Sequence, residues 1–404
     1  MKLNKIHILR LTDFWLFYFL SPVFIALILT AKIPRLIFKQ HKLQINSFST
    51  ISFFKYLGGG SLFILYPLLY SLKKTYPRIK IRLYAGKSIR KYAEASGIFD
   101  EIIIIDSIKF LPWALKKIAN NEKELIMNLE HNSLISSIIT FSLMPKRSIT
   151  FGNNHNKIIK LFHSDMIFYS PLKNIQKTYE LLFKFYEINQ IPPDEITHAL
   201  TNKARFLFTK KNKKLNFDPK NCISIAPFSS SLSKERELSF AELSEFLMTK
   251  KIGLKKSLDN KNKVILLLGG TEDISSADML KNVMLKQSGQ FQIFNFCGKF
   301  NLLESAYIAS QSELFITIDS GLNHIVRLMN PKKIISFFGP TSPHTQLGNI
   351  IKPMNEVVLY NNFFCSPCVH VSSSSPCRGS APCMRSFFDK NIIKEELDRP
   401  YLFL

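Results

Sequence analysis

The chain has 404 residues, 46% of them hydrophobic and 21% charged, with a formal net charge of +24. This size and balance admit two domains with a sizeable core in each and exclude a disordered chain. The basic surplus fits either an anionic partner or a merely Lys-rich sequence; no zinc-finger, RNP-like or helix-turn-helix pattern accompanies it, so nucleic acid is not expected as a partner.

The first predicted element is apolar. Phe14–Ala31 carries no charge, and at 1.5 Å per residue it reaches roughly 27 Å, close to the thickness of a hydrocarbon core. Lys32, Arg35, Lys39 and Lys42 follow it, which under the positive-inside tendency leaves the remainder in the cytoplasm. Lys2, Lys5 and Arg10 on the other flank suit an interfacial helix, or a hairpin bent at Ser21-Pro22, equally well. Residues 1–45 are therefore read as a membrane-associated segment, spanning or interfacial, with a buried helix of the soluble core as the competing reading.

Strand and helix patterns then alternate. Apolar, β-branched runs at Ile51–Leu57, Ile79–Tyr84, Glu101–Asp106, Leu125–Leu129 and Ser148–Gly152 are separated by helical stretches such as Ser61–Lys74 and Ser133–Leu143. Such alternation predicts an α/β fold with a parallel sheet covered on both faces. Ile191–Asp194 and the Lys-rich stretch reaching Lys220 read as a linker. A second series follows: strands at Cys222–Pro227, Val264–Gly270, Phe291–Gly298, Leu314–Ile318 and Ile334–Gly339, with helices over Phe240–Lys250, Asp278–Lys286, Leu302–Ser310 and after Gly321. Asn301 and Glu304 have capping-box spacing. The expected domains are 46–205 and 206–404, two Rossmann-like units facing a central cleft at the carboxyl ends of their strands.

The sharpest local signal is FITIDSGLNHI, residues 315–325. A strand runs into a tight turn and a helix starts at once. Asp319 or Ser320 is suited to cap that helix, and its free N–H groups and dipole favour a phosphate or diphosphate. The strand ends Gly269–Asp273 and Gly339–Pro343 bring further glycine, hydroxyl and acidic residues to the same edge.

IDSGLNHI followed by FFGPTSPHTQ resembles the donor-binding signature of glycosyltransferase family 9, the heptosyltransferases. LLLGGTED, IAPFSSSLSKERELSFAEL and FCGKFNLLESAYIASQSELFIT are similar to that family too, and FFKYLGGGSLFILYPLLYSLKKTYPRIKI resembles its opening strand, glycine turn and helix. GIFDEIIIID and LIMNLEHNSLISSIITF match its layout, so the resemblance spans Ile51 to Arg385. It implies a GT-B fold and an inverting, metal-independent transfer from a nucleotide-activated sugar, typically ADP-heptose. By position it implies that Asp319, Ser320, Gly321 and Leu322 hold the diphosphate with His324 and Thr341 nearby. Lys234 or Arg236 would then supply a cation to the leaving phosphate, and Glu272 would meet the ribose. The expected acceptor is the anionic core of lipopolysaccharide or a related glycolipid, at the cytoplasmic face of the inner membrane.

One departure bears on the chemistry. The family's glycine turn commonly continues with an Asp that serves as general base, whereas Gly58-Gly59-Gly60 continues here with Ser61. A neutral serine takes no proton at pH 7 unless another group activates it. Glu130, at the carboxyl end of the run Leu125–Leu129, is the replacement candidate, and His131 the weaker one. Ser61 also leaves open a non-catalytic binder of nucleotide sugars or glycolipids.

Of six cysteines, Cys222 and Cys297 read as small core residues. Cys365, Cys368, Cys377 and Cys383, with His370 between them, have the spacing of a tetrahedral metal site, for a structural zinc or, less readily, an iron–sulfur cluster. Packed thiols and disulfides are the alternatives. A metal-binding regulatory protein built on these four is the remaining functional rival; transfer itself needs no cofactor.

Overall fold

The computed structural model describes residues 44–107, 109–120, 122–131, 133–152, 157–210, 217–230, 233–248, 264–287, 291–369, 375–385 and 387. The apolar stretch Phe14–Ala31 and His370 lie outside these residues. Among the described residues no helix is long and apolar enough to cross a membrane. The chain divides into two compact units, Met1–Pro192 and Pro193–Leu404.

The first unit is built on strands β1 (Thr50–Lys55), β2 (Lys80–Ala85), β3 (Glu101–Ile104), β4 (Glu124–Asn128), β5 (Arg147–Gly152) and β6 (Asp165–Phe168). All are parallel, in the order β3-β2-β1-β4-β5-β6. Its helices are α1 (Gly60–Thr75), α2 (Arg90–Ser96), α3 (Phe110–Ala119), α4 (Leu134–Ser142) and α5 (Ile175–Phe185). Every residue of β1 and β4 is buried, as expected of central strands covered on both faces. Phe54, Tyr84, Ala114, Ile126 and Leu143 form one apolar cluster that ties α3 and the end of α4 to the sheet.

The second unit holds α6 (Pro193–Lys210), β7 (Cys222–Ala226), α7 (Phe240–Met248), β8 (Val264–Leu267), α8 (Ile274–Gln287) and β9 (Gln292–Asn295). It continues with α9 (Leu302–Gln311), β10 (Leu314–Ile318), α10 (Gly321–Leu328), β11 (Ile334–Phe338) and β12 (Glu356–Tyr360). Its parallel order β12-β11-β10-β7-β8-β9 repeats the winding of the first sheet. α6, which falls in the stretch read from sequence as a linker, packs on α9 and α10 of this unit and buries Ile196, Leu200 and Ala204. At α9 the expected capping box is present: Asn301 Oδ1 accepts from Glu304 N and Glu304 Oε2 from Asn301 N, both at 2.9 Å.

In each sheet the winding reverses once, between β1 and β4 and between β7 and β10. Chains leaving neighbouring strands at such a point diverge to opposite faces and leave a crevice at the carboxyl edge, where open α/β sheets bind ligands. Ser61 and Glu130 follow the strands at the first reversal point, and Arg236 and Asp319 those at the second.

Candidate functional site

In the second unit β10 ends at Ile318, and Ser320 caps α10 by accepting from Asn323 N at 3.3 Å. Asp319, buried at 4% exposure, lies between two cationic or potentially cationic groups. His324 Nε2 is 3.4 Å from its Oδ1 and Arg236 Nη1 is 3.5 Å from its Oδ2. Arg236 Nη1 also donates to the Asp319 carbonyl at 2.9 Å. Burial works against the charged form, yet His324, Arg236 and the Thr341 hydroxyl hold the Asp319 carboxyl well below the usual carboxylate range. The carboxylate thus serves as the anchor of Arg236 and His324, and the N–H groups of α10 are left to face an anion. Of the expected donor residues, Asp319, Ser320, Gly321, Leu322, His324, Thr341 and Arg236 come together here.

Lys234 stands apart from them: its Nζ pairs with Glu237 at 2.7 Å, and its side chain is 54% exposed against 18% for Arg236. Of the two cations that the sequence left equal, Arg236 is the one held beside Asp319. Glu272 is exposed in the turn after β8. Its neighbour Asp273 accepts from Gly270 N at 2.9 Å and lies within electrostatic range of Lys234 and Glu237, so the turns after β7 and β8 share one neighbourhood.

The thiol-rich stretch abuts the same edge. Cys368 N donates to Pro340 O at 3.0 Å, and a Cβ on Gly339 would lie 3.0 Å from Cys383 Sγ and 2.7 Å from Met384 Sδ, so the glycine eases a close approach. Burial pushes the Cys383 thiol up to about 11, with Cys368, Cys365 and Cys377 adding to the shift. None of the six cysteines is in a disulfide. Among the described residues no group of three or more His, Cys, Asp or Glu is arranged to hold a metal, and we derive no metal role from the four. Cys222 and Cys297 are buried in the second unit, as expected of small core residues.

In the first unit the glycine turn follows β1. Gly58 has φ +76° and a Cβ on Gly59 would fall 2.1 Å from the Tyr92 ring, so both positions require glycine. Ser61 Oγ donates to Gly58 O at 2.7 Å, closing the turn. Glu130 reaches the same turn from β4: its Oε1 accepts from Tyr56 N at 2.7 Å and Leu57 N at 3.1 Å, and lies 3.2 Å from Lys55 Nζ. The Tyr179 hydroxyl, on α5, lies within electrostatic range of Ser61, Lys55 and Glu130. Glu130 and Ser61 are thus parts of one cluster. His131 stacks on Tyr169 with ring centroids 3.9 Å apart and packs against Phe151 and Tyr179. Sequence reasoning missed Lys55, Tyr169 and Tyr179; the available signal was a lysine ending an otherwise uncharged strand, TISFFK.

The family model described as glycosyltransferase family 9 (heptosyltransferase) matches residues 114–378. The chain belongs to this family. Among curated family 9 relatives, lipooligosaccharide heptosyltransferase 2 of Haemophilus influenzae is 28% identical over 104 residues, 26% of each chain. The Haemophilus ducreyi protein of the same name is 30% identical over 91 residues, 22% of this chain and 26% of its own. The chain thus matches about a quarter of the length of these relatives. Solved structures carry the fold over most of the chain. A family 9 glycosyltransferase of Veillonella parvula aligns with a TM-score of 0.56 at 16% identity, covering 79% of this chain and 87% of that one. An E. coli heptosyltransferase solved with ADP aligns at 0.55 and 13% identity, covering 86% and 99%. The two parallel α/β units are those of the GT-B heptosyltransferases.

Proposed function

We propose that this family 9 glycosyltransferase moves a sugar, heptose from ADP-heptose, onto the core of lipopolysaccharide or a related anionic glycolipid with inversion at the anomeric carbon. The observation that carries the reading is the Arg236–Asp319–His324 constellation at the head of α10, a cation and a set of free N–H groups beside a buried carboxylate. The acceptor oxygen attacks the anomeric carbon, the bond to the diphosphate breaks, and the nucleoside diphosphate leaves with the electron pair. Arg236 and the α10 N–H groups stabilise the charge that develops on it. Glu130 takes the acceptor proton, because Ser61 has its hydroxyl committed to Gly58 O. Placement at the cytoplasmic face of the inner membrane rests on the sequence of Phe14–Ala31 and on the basic surplus.

The test is transfer from ADP-heptose to a membrane lipid extract by wild type, Glu130→Gln and Asp319→Ala. Glu130→Gln should lose transfer while keeping ADP-heptose binding, and Asp319→Ala should lose the binding. Unchanged transfer in Glu130→Gln removes the base assignment. The serine in the glycine turn supports one second reading, a binder that has lost turnover; wild type that binds ADP-heptose and transfers nothing would establish it.

A further inference from the structure

Lys55 is an unusual residue for its place. It ends the fully buried strand β1, and its side chain is 8% exposed. A buried ammonium without a partner is strongly unfavourable. Burial does push Lys55 toward neutrality, but the Glu130 carboxylate, followed by the Tyr179 and Tyr169 hydroxyls, holds its pKa above the ordinary lysine value. β4 runs beside β1 with Phe54 opposite Asn128, and Leu129 N donates to Phe54 O at 3.0 Å. Lys55 and Glu130 therefore emerge together where the winding of the first sheet reverses.

The contacts on Glu130 are one-sided. Oε1 receives Tyr56 N, Leu57 N and Lys55 Nζ, at 2.7, 3.1 and 3.2 Å, while Oε2 accepts no hydrogen bond from the described residues. A carboxylate free to turn presents either oxygen; this one is held by three donors on the same atom. The titratable groups around it are Lys55 from β1, Tyr179 from α5, Tyr169 after β6 and the adjacent His131.

We propose that Lys55 is a positioning residue of the transfer reaction: with the Tyr56 and Leu57 N–H groups it fixes Glu130 through Oε1 and reserves Oε2 for the proton of the acceptor hydroxyl. This rests on the reading of Glu130 as the base. The tyrosines act at longer range, and the Tyr56 and Leu57 N–H groups join the start of the glycine turn to the same cluster.

The experiment uses the full chain with ADP-heptose and membrane lipid extract. Lys55→Met should lower kcat by roughly 10- to 100-fold, the scale of a misplaced catalytic group, with ADP-heptose affinity within about twofold of wild type. Lys55→Arg should recover most of that loss, since a guanidinium still donates to Oε1. In the Glu130→Gln background, Lys55→Met should cause no further loss, because two residues acting as one unit are not additive. A purely structural lysine would instead give additive losses or a matching loss of donor affinity, and either overturns the proposal. Infrared difference spectra against Glu130→Gln report the Glu130 carboxylate stretch without turnover. The stretch should shift in Lys55→Met and return toward wild type in Lys55→Arg, also if Lys55→Met proves too unstable for kinetics. An unshifted band overturns Lys55 alone, whereas transfer retained in Glu130→Gln overturns the base assignment and this inference with it.

Discussion

Arg236 and Lys234 are two residues apart on one turn, and the structure predicts very different consequences when each is replaced by methionine. Arg236 Nε contacts Ser233 O at 3.5 Å and Nη1 donates to Asp319 O at 2.9 Å, whereas Nη2 has no hydrogen bond among the described residues. Two donors on a held guanidinium are therefore left for a phosphate. A hydrogen bond from a charged group contributes about 1.5–3 kcal/mol, which at 1.4 kcal/mol per decade makes ADP binding by Arg236→Met about 10- to 150-fold weaker. Lys234 is 54% exposed and already paired with Glu237; an exposed ion pair contributes about 0–1 kcal/mol, so Lys234→Met should stay within about fivefold of wild type. Isothermal titration with ADP at low and moderate salt measures both. Urea unfolding must accompany it, because Arg236→Met leaves the buried Asp319 with one cation fewer and should destabilise the unit by about 1–3 kcal/mol. A larger loss of ADP affinity in Lys234→Met than in Arg236→Met would refute the assignment and the reading of Asp319 as the anchor.

A second site tests how the donor edge is braced. Arg327 at the end of α10 meets Glu356 of β12 through Nε at 2.5 Å and Nη2 at 2.8 Å, with Nη1 on Gly348 O at 3.0 Å, all buried. Arg327→Met strands a buried carboxylate and should cost about 3–5 kcal/mol in urea unfolding, while Arg327→Met with Glu356→Met should recover most of it; equal losses in the two would refute this. Acid sensitivity follows from the carboxylates. Against the push of burial, Lys80 and Arg82 hold Glu101 below its ordinary value, Arg82 and Thr50 hold Glu122 below it, and Asp319 is held lower still. Groups with depressed folded values contribute stability that is present above the unfolded carboxylate pKa of about 4 and is lost as pH falls through the folded values. The urea midpoint should drop steadily below about pH 4, and Arg82→Met should flatten that drop; a pH-independent midpoint would exclude the mechanism.

Much of the scaffold was determined by sequence-local physics. The interior strands are short apolar runs that stay apolar because both faces are covered, and the start of α9 is written in Asn301 and Glu304, whose side chains satisfy each other's backbone donors within one turn. The head of α10 was legible for the same reason: strand, turn, cap and helix fall within adjacent residues. β6 and β12, edge strands of four and five residues, were not legible in the sequence. The site was decided by contacts that no local pattern holds. Lys234 and Arg236 are equal as sequence, and only the packing of their turn against β10 gives one of them Asp319, 83 residues away. Lys55 and Glu130 are likewise far apart along the chain and adjacent only because β4 pairs with β1. A charge at the end of a buried strand is recorded in the sequence, but the partner that keeps it charged is selected by sheet order, and sheet order is a property of the folded chain.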